Sequence, residues 1–248
     1  MAALVLTDVD MLCSGLDLSA FASTVQCSSE VAEVESTSFA SGGWKTVVPG
    51  IRSTMLMASG PTDMATATAA QTSSVDEFLA VNLGTDYVVS VIATGATVGE
   101  PGWFTTGQLM QRNLLDGSVG DIASHSVTLG GTNPLIRGQV AAASTITATG
   151  NGTAANLGAV SATQRIWAAV HTLTAGGTST PTITVKIQSS TASGFASPTD
   201  RITFSAITSK TGLFASTVGA ITDTWWRATW TVSGTNPSFQ TRVLFGIY

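Results

Sequence analysis

From residue 165 onward the sequence is a succession of short strand-like runs: RIWAAVHTL, PTITVKIQSS, DRITFSAI, WWRATWTV and FQTRVLFGIY. Gly, Ser, Pro and Asn part them, and almost no 3.6-residue period runs through them. Such a series folds as antiparallel β-structure, packed as a sandwich or closed as a barrel. The first half reads the same way through ALVLTDV, STVQCSSEV, RSTMLMASG, DYVVSVIAT, GWFTTGQLMQRNLL and VGDIASHSVTL. One short helix is expected at about residues 74–83. There Ser74 can cap the first turn, Glu77 can reach back to it, Val75, Phe78 and Leu79 share a stripe, and Gly84 follows the end. Only 10% of the chain is charged, against a usual share of about 25%. Thr, Val, Ser and Gly fill the deficit, which suits strands and turns and suggests a surface that largely meets protein.

The few charges are unevenly spread. Up to residue 140 thirteen acids face four bases, a net of −9; beyond it six bases face two acids, +4, and the halves sum to the chain's −5. A change of sign along one chain marks two modules with different surroundings, here residues 1–141 and 142–248. Residues 141–164 have no strong period and read as a junction with one weak strand. A Gly-Thr turn with a following proline recurs in TLGGTNPLIRGQV, TAGGTSTPTITVKI and TVSGTNPSFQTRV. A recurring hairpin type and an internal duplication both account for it.

The residues offer no catalytic or metal-binding constellation. His125 and His171 each lie in a strand pattern without a nucleophile motif, and no Cys or His pair has metal-ligand spacing. DVDMLCSGLD begins like a calcium loop, but Leu12 stands where a third oxygen ligand belongs. GNGTAANLG lacks the Lys-Ser/Thr of a phosphate loop and reads as a connector. Cys13 and Cys27 are expected as free thiols. No apolar run is long enough for a membrane helix, and the start lacks a signal pattern, so a chain made in the cytoplasm without cofactor or metal is expected. In TWWRATWTV, alternation puts Trp226, Ala228 and Trp230 on one face and Trp225 and Arg227 on the other. That pattern fits a core tryptophan pair, and it also fits a sugar-stacking platform.

The most unusual stretch is EVAEVESTSFASGGWKTVVPGI, residues 30–51. Three carboxylates and a hydroxyl cluster precede a glycine pair, a bulky aromatic and a Pro49-Gly50 turn signal.

Four motifs in order carry a resemblance. They are Gly15-Leu16-Asp17-Leu18-Ser19; Glu33-Val34-Glu35-Ser36-Thr37-Ser38-Phe39; Gly43-Trp44 through Pro49-Gly50-Ile51; and Gly117-Ser118-Val119-Gly120-Asp121-Ile122-Ala123 with Ser126-Val127-Thr128. With them, residues 9–129 resemble the major tail tube proteins of long-tailed, siphovirus-type bacteriophages. Ser193 to Thr199 and Trp226 to Phe239 resemble C-terminal β modules often found in phage virion proteins.

The resemblance implies a tail-tube-type sandwich or barrel followed by a second β-sandwich domain. It implies a non-enzymatic protein of the virion that polymerises into stacked rings, six chains each, or three if both halves are tube modules. Genome DNA would pass through on ejection without specific binding, and other tail proteins would be neighbours. Residues 30–50 would be the assembly loop, with Glu33, Glu35, Thr37, Phe39, Trp44, Lys45, Pro49 and Gly50 at the subunit interface. An acidic wall would let DNA slide, whereas a basic one would hold it, so Asp116 and Asp121 on the closing hairpin become candidates for the lumen. A capsid decoration or other virion-surface β protein is the alternative. A carbohydrate-binding module using Trp225, Arg227 and the Gly-Thr-Asn-Pro loops is a third reading.

Overall fold

The computed structural model describes residues 6–63, 75 and 83–248. The chain is all-β. Among the described residues fourteen strands join through antiparallel ladders into one hydrogen-bonded network. The first half holds β1 (Asp10–Cys13), β2 (Leu16–Asp17), β3 (Thr24–Glu35), β4 (Val47–Pro61), β5 (Asp86–Ile92), β6 (Pro101–Asp116) and β7 (Ser124–Gly131). β8 (Ile136–Ile146) follows. The second half holds β9 (Gly150–Asn151), β10 (Ala155–Asn156), β11 (Arg165–Ser190), β12 (Thr199–Thr203), β13 (Thr211–Val218) and β14 (Trp225–Ile247). Of the helix expected at 74–83, Val75 is described, helical and buried, and Leu83, exposed in a turn; the rest lies outside the described residues.

Period-two alternation builds the first core. Thr54, Leu56 and Ala58 of β4 point inward while Met55 and Met57 point out, and His125, Val127 and Leu129 of β7 repeat the pattern. β5 differs, being buried from Val88 to Ile92. Its two faces serve two cores: Val89 and Val91 join Met11, Leu56 and Leu129, while Val88 and Ile92 join Ala169, Leu173 and Leu244 from the second half. A strand covered on both sides reads as a near-continuous apolar run, and this one does, broken only at Ser90.

β8 spans residue 141. Its Gln139 faces Pro101 of β6 on one side and Phe245 of β14 on the other, so the sheet is continuous across the change of charge. Glycine makes that crossing possible: a Cβ on Gly138 would meet the Phe245 carbonyl oxygen and lie 2.7 Å from Phe104 Cε1.

The four outer runs of the second half do not form four separate strands. RIWAAVHTL and PTITVKIQSS are parts of β11, WWRATWTV and FQTRVLFGIY parts of β14, and the two long strands pair from Ile166–Ile247 to Ser190–Trp225. The Gly-Thr-Pro punctuation between them marks register shifts, not chain reversals. Gly177, Ser179, Thr180, Gly234 and Asn236 there take positive φ. The ribbon doubles over at this point, so Ile166, Ala168 and Val170 share a core with Ile183, Val185 and Ile187. The second and third copies of the recurring motif thus face each other, Thr178 opposite Thr235, whereas the first is the β7–β8 connection. The supposed connector around residue 150 supplies β9 and β10, both paired with β14.

Candidate assembly surface

The β4–β7 ladder runs from Pro61–Ser124 to Met55–Gly130 and stops. β3 and β4 continue together past it to the Glu35–Val47 pair, a two-stranded ribbon extending roughly 24 Å beyond the sheet at about 3.4 Å per residue. Nothing else of the described chain pairs with this ribbon. Val31, Val34, Val47, Val48 and Ile51 along it are exposed, as are Phe39 and Trp44 at the tip, Trp44 to 79%.

Local bonds hold the tip in shape. Ser36 N donates to Thr46 O at 2.9 Å, and Thr46 N to Thr37 Oγ1 at 3.1 Å. Ser38 and Ser41 form a reciprocal capping box around the short 3-10 turn Phe39–Ser41. Gly42 and Gly43 then take φ of 61° and 86°, left-handed values that let the chain return. Trp44 N closes the turn on Ser41 O at 3.1 Å. Lys45 Nζ stands 3.5 Å from Glu33 Oε2 across the ribbon. Glu35 has no ion-pair or hydrogen-bond partner among the described residues.

The structure therefore brings Glu33, Glu35, Thr37, Phe39, Trp44 and Lys45 together at the outer end of one projection. Pro49 and Gly50 differ from their sequence reading. They are no turn but lie inside β4, where the register slips between Val31 and Glu33. The bulge sets Gly50 and Ile51 against Ala32 alone, and Pro49, a strand residue without an N–H, is tolerated at its border. Gly50 is needed for close approach, a Cβ lying 2.7 Å from Val34 Cγ2.

Asp116 and Asp121 sit on the β6–β7 hairpin and are exposed. Asp116 pairs with Ser124, whose hydroxyl donates to the Asp116 carbonyl at 3.2 Å, and Asp121 N donates to Ser118 O at 3.0 Å. This hairpin turns beside Pro61, with Thr62 N donating to Ala123 O at 2.8 Å, so it lies at the end of the sheet opposite the arm. Its tip is also apolar: Leu115, Val119 and Ile122 are exposed, Ile122 to 80%. Sequence reading missed these three. The available signal was apolar residues on both sides of a Gly-Ser turn too short to bury them.

At the base of the arm a groove of about 600 Å³ opens between β3–β4, the β7–β8 turn and Tyr248. Val31, Pro134 and Leu135 give it apolar walls, and Arg52 lies in it without an acidic partner among the described residues. Glu30 also borders it, accepting a hydrogen bond from Ser53 Oγ at 3.0 Å.

The remaining chemistry-bearing side chains are structural. His171 is fully buried, its Nδ1 2.9 Å from Ser14 O and its Nε2 2.7 Å from Ser90 Oγ; burial pushes its pKa down to about 4. His125 Nδ1 lies 3.1 Å from Pro61 O, and burial lowers its pKa too. Cys13 and Cys27 are free thiols, and burial raises both pKa values, that of Cys27 to about 11. Trp226 is buried with its Nε1 donating to Gly158 O at 2.9 Å, and Trp230 packs against the same core. Arg227 stacks 4.3 Å from the Phe195 ring and donates from Nε to Gln188 Oε1 at 3.0 Å. Asp10, second of the calcium-like residues after Asp8, begins β1. Among the described residues no group of three or more His, Cys, Asp or Glu could hold a metal ion, and no helix is long and apolar enough to cross a membrane.

Fold and surface together describe an all-β protein with apolar projections at opposite ends of one sheet. No protein-family model matches the chain, and no curated protein does. Among solved structures it is similar to a chain of the virion of a native gene transfer agent particle, with 20% identity over 54% of this chain and 97% of that one, at a TM-score of 0.38. It is also similar to a chain in the tail of an empty gene transfer agent particle with C6 symmetry: 17% identity, 50% and 92% covered, TM-score 0.35. The Dit (gp 19.1) protein of phage SPP1, described as a hub of the adsorption apparatus, aligns over 97% of this chain and 99% of its own at 10% identity and a TM-score of 0.37.

Proposed function

We propose that this chain is a structural protein of a phage-type tail that polymerises, through its β3–β4 arm, into stacked rings enclosing a channel for DNA. The observation that carries the reading is the arm itself. A ribbon with five exposed Val and Ile residues and a tip of Phe39 and Trp44 has no partner among the described residues of its own chain. Exposed apolar surface of this kind, in a chain poor in charge, marks a surface made for protein. The second apolar tip at the far end of the sheet supplies a contact of a different kind. Two unlike contacts on one molecule give head-to-tail joints, which close into rings or run on as filaments.

The order of the sequence motifs adds the tail tube as the particular assembly. Residues 1–141 would then form the tube wall and 142–248 an outer module. Asp116 and Asp121 would face the lumen, the ring holding six chains, or three if both halves contribute tube modules. The virion tail is the place this assigns to the protein.

Electron microscopy of the purified full-length chain tests the reading. Hollow rings or tubes are expected. Replacing residues 35–47 with Asn-Gly closes the ribbon on its Val34–Val48 pair with a two-residue turn. The trimmed chain should stay folded and soluble yet remain dispersed. Long tubes formed by the trimmed chain would refute the arm's role, and an inner wall free of carboxylates would refute the lumen assignment.

A further inference from the structure

We propose that the groove at the base of the arm is the seat for the arm tip of a second copy, with Glu35 of the incoming tip paired to Arg52 and Trp44 laid against Val31, Pro134, Leu135 and Tyr248. This rests on the assembly reading above and names the site at which it happens. Three observations point to it. First, among the described residues Arg52 is a cation without an acid, and Glu35 an acid without a cation, on a protein with few of either. Second, the two cannot satisfy each other within one chain. Arg52 pairs with Val31 and Glu35 with Val47, so they stand roughly 17 Å apart along the ribbon at about 3.4 Å per residue. Third, the groove offers apolar walls beside that cation, and the tip offers an aromatic residue beside that carboxylate.

Glu33 is already engaged by Lys45, and Glu30 by the Ser53 hydroxyl, which leaves Glu35 and Arg52 as the complementary pair. The groove lies at the same end of the sheet as the arm. A tip seated there joins neighbours at one level, the geometry that closes a ring. The β6–β7 tips at the opposite end remain for contacts between levels. Trp44 is the anchor, since large aromatic residues entering a pocket carry most of the energy at such joints.

The test uses the full chain, read by sedimentation and electron microscopy. Trp44→Ala and Arg52→Glu should each raise the concentration at which rings appear by about tenfold or more, as should Glu35→Arg. An equimolar mixture of the Arg52→Glu and Glu35→Arg chains should regain assembly, because each tip then meets a groove of opposite sign. The chain carrying both changes should assemble by itself. In this exchange a misfolded variant cannot imitate the result, since rescue requires two folded partners. A Trp44→Cys chain should cross-link to a Leu135→Cys chain, not to a Val119→Cys chain. Ring formation by Trp44→Ala and Arg52→Glu at the wild-type concentration, no rescue in the mixture, or cross-linking to position 119 would overturn the groove while leaving assembly intact. A wild-type chain that stays monomeric at every concentration would overturn the assembly reading, and this inference with it.

Discussion

At the scale of single residues, the most consequential polar group is His171. It lies in a nearly apolar contact between the halves, with Ser14 and Ser90 on one side and its own strand β11 on the other. Ser14 offers a carbonyl oxygen, so Nδ1 must donate, and Nε2 accepts from the Ser90 hydroxyl. That arrangement suits the neutral ring, and burial holds the pKa at about 4 against an ordinary 6.5. The unfolded chain therefore binds the extra proton first as pH falls. Stability from this residue is fully present above about pH 6.5 and is lost progressively towards pH 4, on the order of 3 kcal/mol in all. Urea unfolding at about pH 7 and about pH 4.5 checks this: the wild type should lose most of that amount, and a His171→Gln chain much less. A second prediction concerns Thr172 and Thr241, which face each other across β11 and β14, fully buried, with neither hydroxyl bonded among the described residues. Replacing Thr241 with Val removes an unsatisfied group at nearly constant shape and should stabilise by about 1 kcal/mol; a lower unfolding midpoint would contradict it.

At the scale of elements, β8 has little room to change. Gly138 lies where β6 and β14 close on it, so Gly138→Ala should cost about 2–3 kcal/mol through forced separation of the ladders. Denaturant midpoints would show it, and a change under half a kcal/mol, at about the noise of surface substitutions, would mean the neighbours yield. Most strands were legible from alternation: β4, β7 and the Trp226–Ala228 face follow the period of two residue by residue. What alternation does not contain is the partner. GGTSTP and SGTNPS look like chain reversals because their residues favour positive φ, yet here those angles bend a paired ribbon instead. Pro49-Gly50 misleads in the same way, at a bulge within β4. The arm could be read from sequence because its acidic, hydroxyl and glycine-aromatic pieces are contiguous. The groove could not, since it gathers residues near 30, 52, 133 and 248 that only pairing brings together. Leu115, Val119 and Ile122 escaped notice because apolar residues flanking a turn look like core until exposure is known.

At the scale of the whole molecule, the two modules of opposite charge share a sheet and a core. Leu12, Val88, Ile92, Phe104 and Ile136 from the first half pack with Ala169, Leu173 and Leu244 from the second. Burial of this extent couples their melting, so calorimetry should show one transition whose van't Hoff and calorimetric enthalpies agree; two resolved transitions would mean that the halves fold independently. The proposed division of function between wall and outer module is therefore compatible with a single unit of folding.

The sharing of β8 also bears on how such a chain can diversify. A domain hung on a linker can be traded by recombination at the linker, leaving both sides intact. Here a crossover near residue 141 would cut a strand hydrogen-bonded to both sides and strip one face of β5. A newcomer would have to bring its own equivalents of Ala169, Leu173 and Leu244 in register. The permissive sites for grafting a tag or a foreign epitope are instead the exposed crease of the doubled ribbon, residues 178–180 and 233–236, where both strands already bend outward and no core depends on them.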